Sequence, residues 1–88
     1  MSVIVITRIP GLPGETYDQI AGSLQDQLTA APGFVAHAGS ASSEGVTVTE
    51  IWDQESDWRR FFEANVQPNL PPGLPAPEVV AVRKLMLA

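Results

Sequence analysis

Residues 46–62 read Val-Thr-Val-Thr-Glu-Ile-Trp-Asp-Gln-Glu-Ser-Asp-Trp-Arg-Arg-Phe-Phe, and the period of the apolar positions changes in the middle of them. Val46 to Trp52 alternate and are β-prone, which predicts a strand over 46–52. Asp53 is then placed to cap a helix whose first turn carries Glu55 and Asp57. Trp58, Phe61, Phe62, Val66 and Leu70 follow at the 3-and-4 spacing of one buried helical face. Pro68 ends or kinks this helix, and with five prolines residues 68–77 should form a stiff, extended loop.

Working back toward the N-terminus, Ser43-Glu44-Gly45 is a turn and residues 34–42 a strand of mostly small residues, so 34–52 is a hairpin. Pro32-Gly33 stops a helix running from Glu15 to about Ala30, with Tyr17, Ile20, Ala21, Leu24 and Leu28 on one face. Thr16, with Gln19 three residues on, is the expected cap. Residues 2–9 are a β-branched first strand ended by Pro10-Gly11, and residues 78–87 form the last strand. The order β-α-β-β-α-β, with two right-handed crossovers, predicts a single ferredoxin-like α+β domain over residues 1–88, both helices on one face of a four-stranded antiparallel sheet.

Helices on one face leave the other uncovered. Strand 1 carries Val3, Val5 and Ile9 on one side and Ile4 and Ile6 on the other. The last strand repeats this with Val79, Ala81, Leu85 and Leu87 against Val80, Val82 and Met86. Leaving roughly five such side chains exposed, at ~1.5–3 kcal/mol each, forfeits free energy comparable to a small domain's whole stability. A second copy packed sheet to sheet about a two-fold axis removes the problem, and a homodimer is expected.

Composition narrows the function. Ten acidic residues against five lysines and arginines give a net charge of −5, and the bases are scattered, so neither nucleic acid nor an anionic membrane is an expected partner. Without cysteine there are no disulfides, thiolate metal sites or cysteine nucleophiles, and one histidine is too few for the usual metal sites. No metal or bound organic cofactor is expected. The run Val3 to Ile6 is too short to span a membrane and no basic segment precedes it, which makes the cytosol the default compartment.

The segment Trp52 to Phe62 resembles the strand-to-helix junction of the dimeric α+β barrel superfamily, typified by antibiotic biosynthesis monooxygenase-like proteins. An aromatic ends strand 3, an acidic or hydroxyl-bearing stretch caps helix 2, and aromatics follow at helical spacing. The element order and Pro32-Gly33-Phe34 match as well, so the resemblance extends over nearly the whole chain. It implies two subunits sharing a barrel, and an activity drawn from oxygenation, haem degradation, isomerisation, cyclisation or none. The haem-degrading members' asparagine, tryptophan and histidine meet Thr7, Phe61 and no histidine beyond His37. The quinone-forming monooxygenases' asparagine–tryptophan pair on helix 2 has no counterpart, since Trp58 and Asn65 are seven apart in the opposite order. Only their last-strand arginine is matched, by Arg83.

Among individual residues, His37 alone has an unperturbed pKa near neutrality, and Ala36, Ala38 and Gly39 leave space around it. It is either a general acid or base lining a cavity or a half-buried histidine bonded across the sheet or to a partner. Glu50 interrupts the apolar side of strand 3 and must be paired, hydrated or raised in pKa, the last making it a candidate base. Arg83 and Lys84 interrupt the last strand on opposite faces, so an ion pair of Glu50 with Arg83, or with Arg8 in its place, is the structural alternative. Tyr17, Trp52, Trp58, Phe61 and Phe62 form either plain core or the walls of an apolar pocket, with Asn65 as a polar contact. Ser40, Ser42 and Ser43 lack a nucleophile-elbow pattern, and the loop's PxxP spacings lack flanking bases. The favoured expectation is a small-molecule enzyme akin to cofactor-independent monooxygenases, isomerases or cyclases, acting on an apolar aromatic or polyketide-like substrate. His37 would move the proton and Arg83 would stabilise an enolate or phenolate. The rival is a non-catalytic homodimer that binds a hydrophobic ligand or serves as a structural module.

Overall fold

The computed structural model describes residues 1–88. The strands are β1 (Val3–Pro10), β2 (Phe34–Ser42), β3 (Gly45–Trp52) and β4 (Glu78–Ala81), and the helices are α1 (Gly14–Thr29) and α2 (Glu55–Phe61). The sheet order is β2-β3-β1-β4, with β1 antiparallel to β3 and β4, and β2 antiparallel to β3. This is the expected ferredoxin-like arrangement.

Neither helix starts on the expected cap. Pro13, in an extended conformation, precedes α1, so Thr16 lies inside the helix. The backbone N–H of Asp53 donates to the carbonyl of Gly33 at 2.7 Å, which ties Asp53 to the start of β2 and leaves Gln54 at the cap position of α2. Gly33 has φ +84° and packs against Asp57 of α2 so closely that a Cβ would overlap the carboxylate. A left-handed backbone and a close approach coincide there, and both need glycine.

Val3, Val5, Trp52 and Trp58 form the core, with Leu28 and Ala31 from the α1 side and Phe34, Phe61, Phe62 and Val79 packed around them. Both helices therefore cover the face of Val3 and Val5. Trp52 fastens α2 to the sheet, tilted against Phe61 at 5.8 Å, and meets Phe34 of β2 edge-on at 5.4 Å. By contrast α1 contributes no fully buried residue, and Ile20 is 43% exposed. Its apolar stripe faces a gap.

On the opposite face the register aligns Ile4 with Ile51 and Val80, and Ile51 with Ala36. No helix lies over this row. The last strand is shorter than the expected 78–87. Antiparallel pairing to β1 runs Ile6–Glu78 to Val3–Ala81, and one further bond follows, from Val82 N–H to Ser2 C=O at 2.9 Å. Residues 83–88 lie outside the ladder, and Met86 and Leu87 are 80% and 72% exposed.

Candidate functional site

One row of side chains crosses the helix-covered face of the sheet: His37 of β2, Glu50 of β3, Val5 of β1 and Val79 of β4 are register partners. His37 reaches this face through an irregularity. Phe34 pairs with Trp52 but Ala36 pairs with Ile51, so Val35 is an extra residue and β2 changes phase across it. In a regular strand Phe34 and Ala36 would share a face and His37 would point away from the helices. The bulge lets Phe34 and His37 both face inward.

On that face the polar groups form a chain. His37 Nδ1 and Glu50 Oε2 are 2.6 Å apart, and the indole N–H of Trp52 donates to Glu50 Oε1 at 3.0 Å. Trp52 is wholly buried, so its N–H requires such an acceptor. A carboxylate oxygen only accepts, so Nδ1 carries a proton, and in the neutral imidazole Nε2 is then the acceptor. The Tyr17 hydroxyl stands 2.5 Å from Nε2 and donates to it, with the two rings within 4° of parallel. Tyr17 crosses β2 above Gly39, where any Cβ would run into the phenol ring. Loss of water around the phenol raises the Tyr17 pKa above 10.0, and the negative charges of Glu50 and Asp18 raise it further. Tyr17 thus holds its proton, which is available to donate to the Nε2 of the neutral ring.

Tyr17, His37 and Glu50 border an apolar cavity of about 290 Å³ between the sheet and the helices. Leu24 and Leu28 of α1 wall one side, and Trp58, Phe61, Phe62 and Val66 the other. Leu12 and Leu70-Pro71 belong to the surrounding loops. The aromatic stripe does not end as one regular helix: α2 gives way at Phe62–Val66 to a π-helical turn, then a 3₁₀ turn at Gln67–Asn69 containing Pro68. π-turns are common at functional sites because they re-aim side chains, and here Phe62 and Val66 both reach the cavity.

Tyr17, Trp58, Phe61, Phe62, His37 and Glu50 are thus brought together, while Trp52, Asn65 and Arg83 stand elsewhere. Trp52 lies outside the cavity wall and supports it through Glu50. The Asn65 side-chain amide donates to the Phe61 carbonyl at 3.3 Å, bonding the π-turn back to the end of α2. Arg83 does not border the cavity: it lies beyond the end of β4 at Ala81 and is exposed. Its ion pair with Glu50 is not formed, Glu50 being bonded to His37 and Trp52, and Arg8 instead meets Glu78 at 3.3 Å in solvent. No lysine or arginine lines the cavity, and no third ligand joins His37 and Glu50 to hold a metal ion. Two features were missed in the sequence, the Tyr17–His37 bond and the role of Gly39. The spacing of Gly39 two residues after His37, on the same strand face, was the available signal for the second.

No protein-family model matches the sequence, and comparison with curated proteins finds no match. Among solved structures, the chain is similar to a monooxygenase from the gene ActVA-Orf6 of Streptomyces coelicolor, determined in complex with nanaomycin D. The TM-score is 0.62 at 24% identity, over 99% of this chain and 91% of that one. It is also similar to SnoaB, a cofactor-independent oxygenase from Streptomyces nogalater. A mutant form gives a TM-score of 0.67 at 16% identity over 97% and 96% of the chains, and a second structure 0.64 at 13% over 97% and 95%. The ferredoxin-like β-α-β-β-α-β fold expected from the sequence is the fold that this chain shares with these structures.

Proposed function

We propose that the protein is a small-molecule enzyme that takes an apolar, aromatic or polyketide-like molecule bearing an acidic hydroxyl into the cavity and removes a proton from it. The carrying observation is the His37–Glu50 couple on the border of an apolar space, with the imidazole bonded to side chains alone. A carboxylate behind an imidazole orients the ring and stabilises the imidazolium that forms when it accepts a proton, the division of labour of a general base. About 290 Å³ lies at the small end of the range for ligand pockets, roughly 300–1,000 Å³, and suits a few fused rings. The absence of a cationic wall favours a neutral ligand over a carboxylate or phosphate.

The names of the structural neighbours favour oxygenation among the reactions open to such a base. A phenolate or enolate is electron-rich enough to pass an electron to dioxygen. In the balanced reaction a phenol and dioxygen give a quinone and water. One oxygen atom stays as the new carbonyl, and the other leaves with the ring hydrogen it displaces and the hydroxyl proton. The chain's part is to bind the ring, exclude water and hold the proton.

The active form in this reading is a homodimer, because the row of Ile4, Ile51 and Val80 has no cover within the chain. The test of activity is dioxygen uptake with hydroxylated naphthalenes and anthrones, using isotopically labelled dioxygen and mass spectrometry of the products. Labelled quinone should form with the wild type and drop by about 10²-fold or more with His37→Ala. Equal rates for the two proteins would remove His37 from the reaction, and no labelled product above the uncatalysed rate would remove oxygenation.

A further inference from the structure

Both nitrogens of His37 are occupied. Nδ1 faces Glu50 and Nε2 is covered by the Tyr17 hydroxyl, so a molecule in the cavity finds no free lone pair on the imidazole. Tyr17 itself borders the cavity and its hydroxyl oxygen, having given its proton toward Nε2, retains acceptor capacity. The ring is held over β2 because Gly39 has no Cβ. From this geometry we infer that Tyr17 is the catalytic residue that meets the acidic hydroxyl of the bound molecule, with His37 and Glu50 acting through it as positioning residues.

The inference rests on reading the cavity as an aromatic-ligand site, and it changes which atom does the chemistry there. The proton moves in two linked transfers. The ligand O–H breaks as a new O–H forms on the Tyr17 oxygen, while the original Tyr17 O–H breaks and a bond to His37 Nε2 forms. Tyr17 ends neutral, His37 ends as an imidazolium against the Glu50 carboxylate, and the ligand ends as an anion beside a hydrogen-bond donor. No free tyrosinate is required, which accords with the burial and the Glu50 and Asp18 charges that oppose one. The regenerated Tyr17 hydroxyl supplies the stabilising contact with the ligand oxyanion that no cation in the cavity provides.

Two probes test this. The first is 4-nitrophenol, whose anion absorbs apart from the neutral form and whose acidity lies close to that of an imidazolium. The wild type should bind it and lower its half-ionisation pH by about one unit, a tenfold change. Tyr17→Phe should bind it but lose that shift, and so should His37→Gln, with folding of each checked by circular dichroism. Persistence of the shift in Tyr17→Phe would mean His37 reacts directly and would overturn the inference, as would its persistence in His37→Gln. The second probe uses the fact that Tyr17 is the only tyrosine, so growth on 3-fluorotyrosine labels that ring alone in the otherwise intact protein. Its fluorine resonance should move as 4-nitrophenol is added, and a resonance that stays put while the phenol binds would exclude contact. Absence of any binding by the wild type would take down the aromatic-ligand reading and the inference with it. Binding without a change in ionisation would remove only the proton relay.

Discussion

Glu50 and His37 face each other across β2 and β3, with Oε2 2.6 Å from Nδ1, and Glu50 spends its second oxygen on the buried indole of Trp52. One carboxylate therefore serves the site and the core together. Replacing it by an amide sets an N–H₂ against one of two N–H donors. Glu50→Gln should accordingly lose about 1–3 kcal/mol of stability, measured by urea unfolding, and about 10²-fold in any turnover that uses His37. A variant as stable and as active as the wild type would show that neither bond matters.

Tyr17 gives the protein a dependence on alkaline pH. Its folded pKa lies above 10.0, so between about pH 10 and the folded value the unfolded chain has released the proton and the folded one has not. Fewer protons on the unfolded state means that stability falls as pH rises through this window, and that the contribution is fully present below it. Thermal melts from about pH 9 to 11 should show the decline in the wild type and a shallower one in Tyr17→Phe. Absorbance titration of the folded protein reads the same group directly, because no other tyrosine contributes. A midpoint at or below that of the unfolded chain would contradict the geometry.

Gly39 lacks a positive φ, so alanine there brings no backbone strain and acts only through its Cβ. The methyl group would occupy the place of the Tyr17 ring. Gly39→Ala is expected to cost about 1–3 kcal/mol and to release the Tyr17–His37 bond, seen as a changed His37 ring-nitrogen shift by NMR. An unchanged spectrum would show that Tyr17 has another way to lie across β2.

The uncovered row on the outer face makes a prediction about mass. Sedimentation of the wild type at micromolar concentration should give about twice 9.4 kDa. Ile4→Asp, at the centre of that row, should shift the protein to monomer and lower its melting temperature together. A well-folded single subunit would leave the outer face without the proposed cover.

The element order was legible in the chain because its signals are local. Alternation through Val46–Trp52, the aromatic stripe from Trp58 and the stops at Pro10-Gly11 and Pro32-Gly33 all act within a few residues of one another. The helix starts were not legible, since the hydrogen bond from Asp53 to Gly33 joins residues twenty positions apart. Nor was the length of β4: its residues remain β-prone to Leu87, but the extent of a strand is set by pairing with a distant neighbour, and pairing with β1 ends at Val3–Ala81.

The histidine and glutamate were visible as polar interruptions of apolar strands, and their types already suggested proton chemistry. Whether they meet was decided elsewhere. A strand side chain points up or down according to the count of residues before it, and the one-residue bulge at Val35 reverses that count for everything after it in β2. Composition and periodicity determined a sheet with two apolar faces and one layer of helices. The tertiary structure alone decided that His37 turns inward, because register is set by pairing with a neighbouring strand and by the space that Gly39 leaves for Tyr17.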